Sequence, residues 1–351
     1  MQSIVIIDPA DVRANLLPMT YLRPVGALRI GITTIREKWE ALLPGNYSWQ
    51  TVDYLRTKYP TAPGVTTKAA TIYIAGDILP TPSLVERILN LSPGTSLIDP
   101  RGEAVAHVGM QQTATVELDE MPVRITSLPD IFLKNGDAIV DDFERITAGQ
   151  TSRELDETVT VIGDRSRIFV HPDAGPVEGC IINVKNGPVY IGPEAEIMEG
   201  ACLRGPLAVM DGSVVNMGAK IYGATTIGPH SKVGGELNNV VIQAYSNKAH
   251  DGFLGNAVIG EWCNIGAGCT ASNLKNDYTE IKLWNYPAHR FLKTGLQFCG
   301  LIMGDHSKAG INTMLNTATV LGVGVNVHGS GFPRPFLASF SEGSTTGFTD
   351  V

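Results

Sequence analysis

Aliphatic residues recur at every sixth position through the middle of the chain: Ile191, Ile197, Leu203, Val209, Val215, Ile221, Ile227 and Val233. A small residue stands four positions after most of them, as Ala195, Ala201, Ser213, Ala219, Thr225 and Ser231. A period of six matches neither the 3.6-residue turn of a helix nor the two-residue alternation of a strand. It matches a solenoid of short flat strands, in which each aliphatic side chain points inward and stacks on the coil below. The small residue then fits inside the turn near a corner. The fold predicted here is a left-handed parallel β-helix of hexapeptide repeats.

The register locates the rest of the chain. The solenoid is expected to begin near Val159, with Ile162 and Ile168 as its first hexads, and its six-residue register to be interrupted over Asp173 to Asn186. After Val233 it breaks across Glu236 to Asp251 and resumes at Leu254, Ile259 and Ile265. A second interruption, Asn273 to Leu296, precedes Met303, Ala309, Leu315, Leu321 and Val327. The first 150 residues read instead as an α/β domain of Rossmann-like type. Strands are expected at Ile4–Ile7 and Thr71–Ala75. Helical spacing runs over Leu28–Leu43, over Pro82–Leu91 with Thr81 as N-cap, and over Ala138–Thr147. The expected domains are 1–150, 151–331 and an irregular tail, 332–351.

The chain has 351 residues and a net charge of -8, which argues against a nucleic-acid surface. No apolar stretch reaches the length needed to span a bilayer. The first residues read as a strand, not as a signal peptide. Five cysteines, an odd number without a CxxC pair, suggest buried thiols in a reducing cytoplasm.

Inward positions must be apolar, so polar residues gathered in an interruption are expected outside the stack. The densest such segment is Ser246-Asn-Lys-Ala-His-Asp-Gly-Phe-Leu254, followed by Ile259-Gly-Glu-Trp-Cys-Asn-Ile-Gly-Ala-Gly268 and Ser272-Asn-Leu-Lys-Asn-Asp277. His250 is the candidate base, because imidazole is the side chain suited to accept a proton near neutrality. Its plainer reading is a solvated loop histidine. His306 is a second candidate; His230, His289 and His328 read as surface residues, and their spacings do not suggest a zinc site.

These segments resemble the GlmU-like bifunctional sugar nucleotidyltransferase/acetyltransferase family, most specifically from Asn239 to Asp277. The resemblance implies that His250 is the catalytic base of acyl transfer and that Phe253 stands where a sugar-contacting Tyr usually does. Asn264 and Asn273 fall on polar site positions, and Lys248 on the basic residue ahead of the histidine, where it would meet a sugar phosphate. Ala267 falls where the family contacts acetyl-CoA through its backbone, and the N–H groups around Gly266 and Gly268 could polarise a thioester carbonyl. A sugar-phosphate Arg expected just after Ile227-Gly-Pro falls near Gly234, and a Lys expected near Gln243 has no match.

The same resemblance makes the first domain a nucleotidyltransferase relative, with NTP and Mg²⁺ as its expected ligands. Ile7-Asp-Pro-Ala-Asp-Val-Arg13 and Leu17-Pro-Met-Thr-Tyr-Leu-Arg-Pro-Val25 keep Arg13 and Arg23 for phosphate binding. They lack the glycines that let backbone N–H groups approach a triphosphate, and Val25 stands in place of a lysine. Asp8 and Asp11 put negative charge where phosphate oxygens would sit. Asp77, in Tyr73-Ile-Ala-Gly-Asp77, is the metal candidate, with a turn aspartate as the plainer reading. Nucleotide transfer is expected to be impaired. The resemblance implies acyl-CoA-dependent acyltransfer to a sugar or sugar 1-phosphate, by a homotrimer with sites between neighbouring copies. The alternatives are a sugar-1-phosphate nucleotidylyltransferase trimerised by its solenoid, and a non-catalytic sugar-nucleotide-binding or scaffold protein.

Overall fold

The computed structural model describes residues 2–62 and 70–350. Two compact units are present. The first comprises Met1–Leu16, Thr20–Leu28 and Thr33–Ser127; the second comprises Leu17–Met19, Arg29–Ile32 and Leu128–Val351.

The first unit is built on six strands: β1 (Ser3–Ile7), β2 (Asn46–Gln50), β3 (Ile72–Ala75), β4 (Thr95–Ile98), β5 (Ala104–Val108) and β6 (Ala114–Glu117). Their order is β2-β1-β3-β5-β4-β6. β1 lies parallel to both β2 and β3, whereas β5 runs antiparallel to β3 and β4. The central strands are mostly apolar because both faces are covered; Ile4, Val5, Ile6 and Ile74 are fully buried. Around them lie α1 (Ala10–Asn15), α2 (Ile35–Leu42) and α3 (Pro82–Leu89). Helix α2 is shorter than the predicted Leu28–Leu43. It starts where Thr34 and Glu37 form a reciprocal capping box, and Gly31, with φ of 80°, is left outside. Thr81 caps α3 as predicted, its Oγ1 accepting the Leu84 N–H at 3.2 Å.

The second unit is a parallel β-solenoid, joined by α4 (Leu128–Leu133) and α5 (Asn135–Thr147). All eight aliphatic residues of the six-residue run are buried, and Ile191, Leu203, Val209, Ile221 and Ile227 belong to one continuous core. Burying each such side chain contributes about 1.5–3 kcal/mol, so the column is the main stabilising feature of the unit. The small corner residues are buried too, and the hydroxyls among them find carbonyls: Ser213 Oγ donates to Gly228 O at 2.8 Å and Thr225 Oγ1 to Tyr222 O at 2.6 Å.

Two sequence expectations need correction. In the first coil Val161 packs against the core and Ile162 is 37% exposed, because Val161 is in register with Ile182. The stretch Asp173 to Asn186 breaks the six-residue register as expected, while the stack continues through it: Val177 bridges Ile197 and Ile182 pairs with Leu203. The additional residues widen a corner without leaving the stack. The expected irregular tail continues the solenoid instead, since Phe336–Leu337 and Ser341–Ser344 pair with preceding coils and Gly347–Asp350 folds back antiparallel as a hairpin. The break at Asn273 to Leu296 is real; it carries the antiparallel hairpin Lys282–Asn285/Arg290–Lys293.

One corner recurs with left-handed backbone in successive coils, at Gly212, His230, Tyr245, Trp262, His306, Gly324 and Phe340. His230 stacks on Tyr245 with ring centroids 5.3 Å apart, and Tyr245 on Trp262 at 4.6 Å. Gly212 is required beneath this ladder, because a Cβ there would lie 2.5 Å from His230 Nδ1. His306 is therefore a corner residue, its N–H donating to Glu261 O at 2.8 Å.

Candidate active site

The segment carrying the predicted residues spans the corner between two solenoid faces. Lys248 does not lie outside the stack. It occupies the inward position of its coil, in register with Val233 below, and Asn247 pairs with Asn264 so that Ile265 follows above. Only 2% of Lys248 is exposed. Its ammonium donates to Gly234 O at 3.1 Å and to the carbonyl of His250. Burial pushes its pKa down to about 8, opposed by the charges of Cys269 and Asp251. A buried ammonium bonded to carbonyls is tolerable in such a core, but it is not presented to a sugar phosphate.

His250 lies two residues further on, at the exposed corner. Its backbone is therefore tied inward through its carbonyl while its imidazole faces solvent. The positions equivalent to His250 in other coils, two residues beyond the inward Val215, Ile265 and Ala309, are Met217, Ala267 and Ile311. Met217 is 64% and Ile311 70% exposed, an unusual pair of bare aliphatic side chains on one corner column.

The polar candidates divide between two faces. Asn264 is exposed and accepts from Asn247 Nδ2 at 2.8 Å, on the face before the His250 corner. Phe253 begins the face after it. Its ring lies over Gly255, and so does the amide of Asn273: a Cβ at Gly255 would lie 2.6 Å from Phe253 Cζ and 2.5 Å from Asn273 Nδ2. Asn273 Nδ2 donates to Asn256 Oδ1 at 2.8 Å, and with the Asn239 amide oriented to satisfy its neighbours Asn256 Nδ2 donates to Asn239 Oδ1 at 3.0 Å, forming an amide ladder at the next corner. The backbone donors are engaged as well. Gly266 N donates to Ala309 O and Gly268 N to Asp251 O, each at 2.9 Å, while Ala267 O accepts from Asn312 N at 2.8 Å. Gly266 and Gly268 thus hold the coils together, and their N–H groups do not point to a thioester.

In the first unit, Arg13 is held by Asp8 (Nε to Oδ2, 3.2 Å), by Thr20 O at 3.1 Å and by the Tyr54 hydroxyl. Arg23 is only 2% exposed. Neither guanidinium is presented as a phosphate clamp. Asp77 is fully buried beside Arg124, whose Nη1 lies 3.3 Å from Asp77 Oδ2 and whose Nε lies 3.4 Å from Asp99 Oδ2. Glu103 stands 3.8 Å from the same Nη1. Desolvation raises the Asp77 pKa to about 6, with Arg124 pulling it down. Among the described residues no group of three His, Cys, Asp or Glu side chains is placed to hold a metal ion. Asp77 in this setting does not fit Mg²⁺. Arg124, Asp99 and Glu103 were not singled out by the sequence reading. A cleft of about 610 Å³ lined by Leu79, Thr81, Arg87 and Met121 contains none of the predicted site residues.

Part of the chain is similar to known proteins. Residues 4–151 match the family model described as sugar nucleotidyl transferase. A bifunctional sugar-1-phosphate nucleotidylyltransferase/acetyltransferase of Sulfurisphaera tokodaii is 30% identical over 149 residues, covering 42% of this chain and 37% of that protein. A bifunctional protein GlmU of Trichodesmium erythraeum is 31% identical over 121 residues, covering 34% of this chain and 22% of its own length. The alignments thus span well under half the length of these relatives. A solved UDP-N-acetylglucosamine acyltransferase of Francisella novicida overlaps 56% of the chain and 67% of its own at 11% identity and a TM-score of 0.22, too little to argue from.

Proposed function

We propose, for a chain of the GlmU-like sugar nucleotidyltransferase/acetyltransferase family, that the solenoid transfers an acyl group from acetyl-CoA or a related acyl-CoA to a sugar or sugar 1-phosphate. The observation that carries this reading is the His250 corner. There an exposed imidazole projects from a rigid coil, and the carbonyl of the same residue is fixed by the buried Lys248. A general base must be held in place while its ring remains accessible, and this corner meets both needs.

In the reaction, an amine or hydroxyl of the sugar attacks the thioester carbonyl carbon while His250 accepts its proton. The C–S bond then breaks, and the imidazolium returns that proton to the departing thiolate of CoA. Phe253 and Asn264, on the faces adjoining the corner, would contact the sugar. Lys248 acts by holding the corner, not by touching phosphate. The exposed Met217 and Ile311 on the same column support association of copies along this corner, as a homotrimer whose sites lie between neighbours.

The test is CoA release with amino sugars and their 1-phosphates, compared between the native chain and His250→Ala. A folded variant should lose about 10²–10⁴-fold in rate, the usual contribution of a positioned base. An unchanged rate removes His250 from the reaction.

A further inference from the structure

In open α/β sheets, ligands bind beyond the carboxyl ends of neighbouring parallel strands. In the first unit β1 and β3 are such neighbours, pairing Ile7 with Ala75, and Asp8 and Asp77 follow their ends. A nucleoside triphosphate bound there would need N–H donors and a cation for its phosphates. A divalent ion would need carboxylate oxygens, with room for several waters.

The chain itself meets both needs. Asp8 Oδ1 accepts the Val25 N–H at 2.9 Å, and Oδ2 accepts the Thr51 hydroxyl at 2.7 Å beside Arg13 Nε. These are the donor types that would cradle a phosphate oxygen. Across the strand ends, the Arg124 guanidinium lies among Asp77, Asp99 and Glu103. It is held there: its Nη2 donates to Ala104 O, and its own backbone bridges Ile78. Asp99 is fixed too, with Oδ1 accepting from Arg101 N at 2.9 Å and Glu103 N at 3.0 Å.

We propose that this crevice is occupied by the protein's own side chains, the Asp8 carboxylate standing in for a ligand phosphate and the Arg124 guanidinium for a divalent cation. The unit then binds neither Mg²⁺ nor an NTP and keeps the nucleotidyltransferase architecture without its transfer chemistry. An entering divalent ion would meet a fixed positive charge a few ångströms away, and an entering triphosphate would meet a carboxylate it cannot displace from the chain. Asp77 and Asp99 are both fully buried, with Arg124 as the cation beside them, whereas Mg²⁺ usually keeps several waters. This inference is independent of acyl transfer at the solenoid.

The experiment titrates the intact chain with Mn²⁺, reading free ion by electron paramagnetic resonance, and with inorganic tripolyphosphate by calorimetry. No saturable site for either is expected at millimolar concentration. One Mn²⁺ per chain, lost in Asp77→Asn, would overturn the cation half; tripolyphosphate binding lost in Arg13→Gln would overturn the anion half. Arg124→Met, if folded by circular dichroism, should acquire a saturable Mn²⁺ site that the native chain lacks, and a folded variant without one also overturns the cation half. Should that variant fail to fold, the native titration decides alone.

Discussion

The two regions that the sequence marks as chemical use similar residues in opposite ways. At the ends of β1 and β3, Asp8 faces Arg13 and the carboxylates of Asp77, Asp99 and Glu103 face Arg124. At the solenoid corner, the charged Lys248 is turned inward onto two carbonyls and His250 is turned outward. Paired buried charges define a structure and resist a ligand; an accessible base on a rigid mount is available for chemistry. Residue type alone does not separate the two cases. What separates them is whether the partners come from the chain or from outside it.

The sharpest way to break this comparison is to remove one partner. Arg124→Met should cost about 3–5 kcal/mol, because Asp77 and Asp99 are left buried without a counter-charge. Urea unfolding at pH 7 measures it. Adding Asp77→Asn to the same chain should recover part of the loss, since one of the two stranded charges is gone. A single-variant cost below about 1 kcal/mol would mean that the cluster behaves as an exposed ion pair, and the contrast with the solenoid would fail.

Much of the second unit could be read directly. Six-residue spacing is enforced by stacking, and a β-branched or leucyl side chain at each inward position is the physical signature of that stack. The same register contained Lys248, six residues after Ile242 and six before Leu254, yet the rule that inward positions are apolar hid it. Two backbone carbonyls converging on its ammonium made the exception affordable, and their positions follow from the coil, not from local sequence. Fixed spacing also failed where a corner widened between Ile182 and Leu203 and where Val161 took the inward place from Ile162. The first unit was less legible in its site than in its elements. Arg124 reaches Asp77 only because the chain returns antiparallel at Ile78, a long-range pairing with no local pattern to announce it. Asp8 and Asp77 could be identified as sequence positions, but not the partners that neutralise them.

The two buried charges should also give opposite pH dependences, and this is the finest test of the comparison. Lys248 has its pKa lowered from 10.5 to about 8, so the folded chain carries a penalty at neutral pH that is relieved as pH rises from 8 towards 10.5. At about 1.4 kcal/mol per unit this amounts to about 3 kcal/mol, and Lys248→Met should abolish that rise in unfolding free energy. Asp77 has the smaller displacement, from 3.8 to about 6. Its penalty is absent below the lower value, grows between the two and is complete above pH 6, so its contribution makes the chain more stable as pH falls from 7 to 4. Asp77→Asn should flatten that part of the profile. The difference between native and variant isolates each group from the other carboxylates titrating in the same range. If removing Asp77 leaves the acid limb unchanged, or removing Lys248 leaves the alkaline limb unchanged, that side chain is solvated in the folded chain. A solvated Lys248 could then reach a sugar phosphate after all, and the distinction between a mounted base and a sealed ion cluster would have to be redrawn.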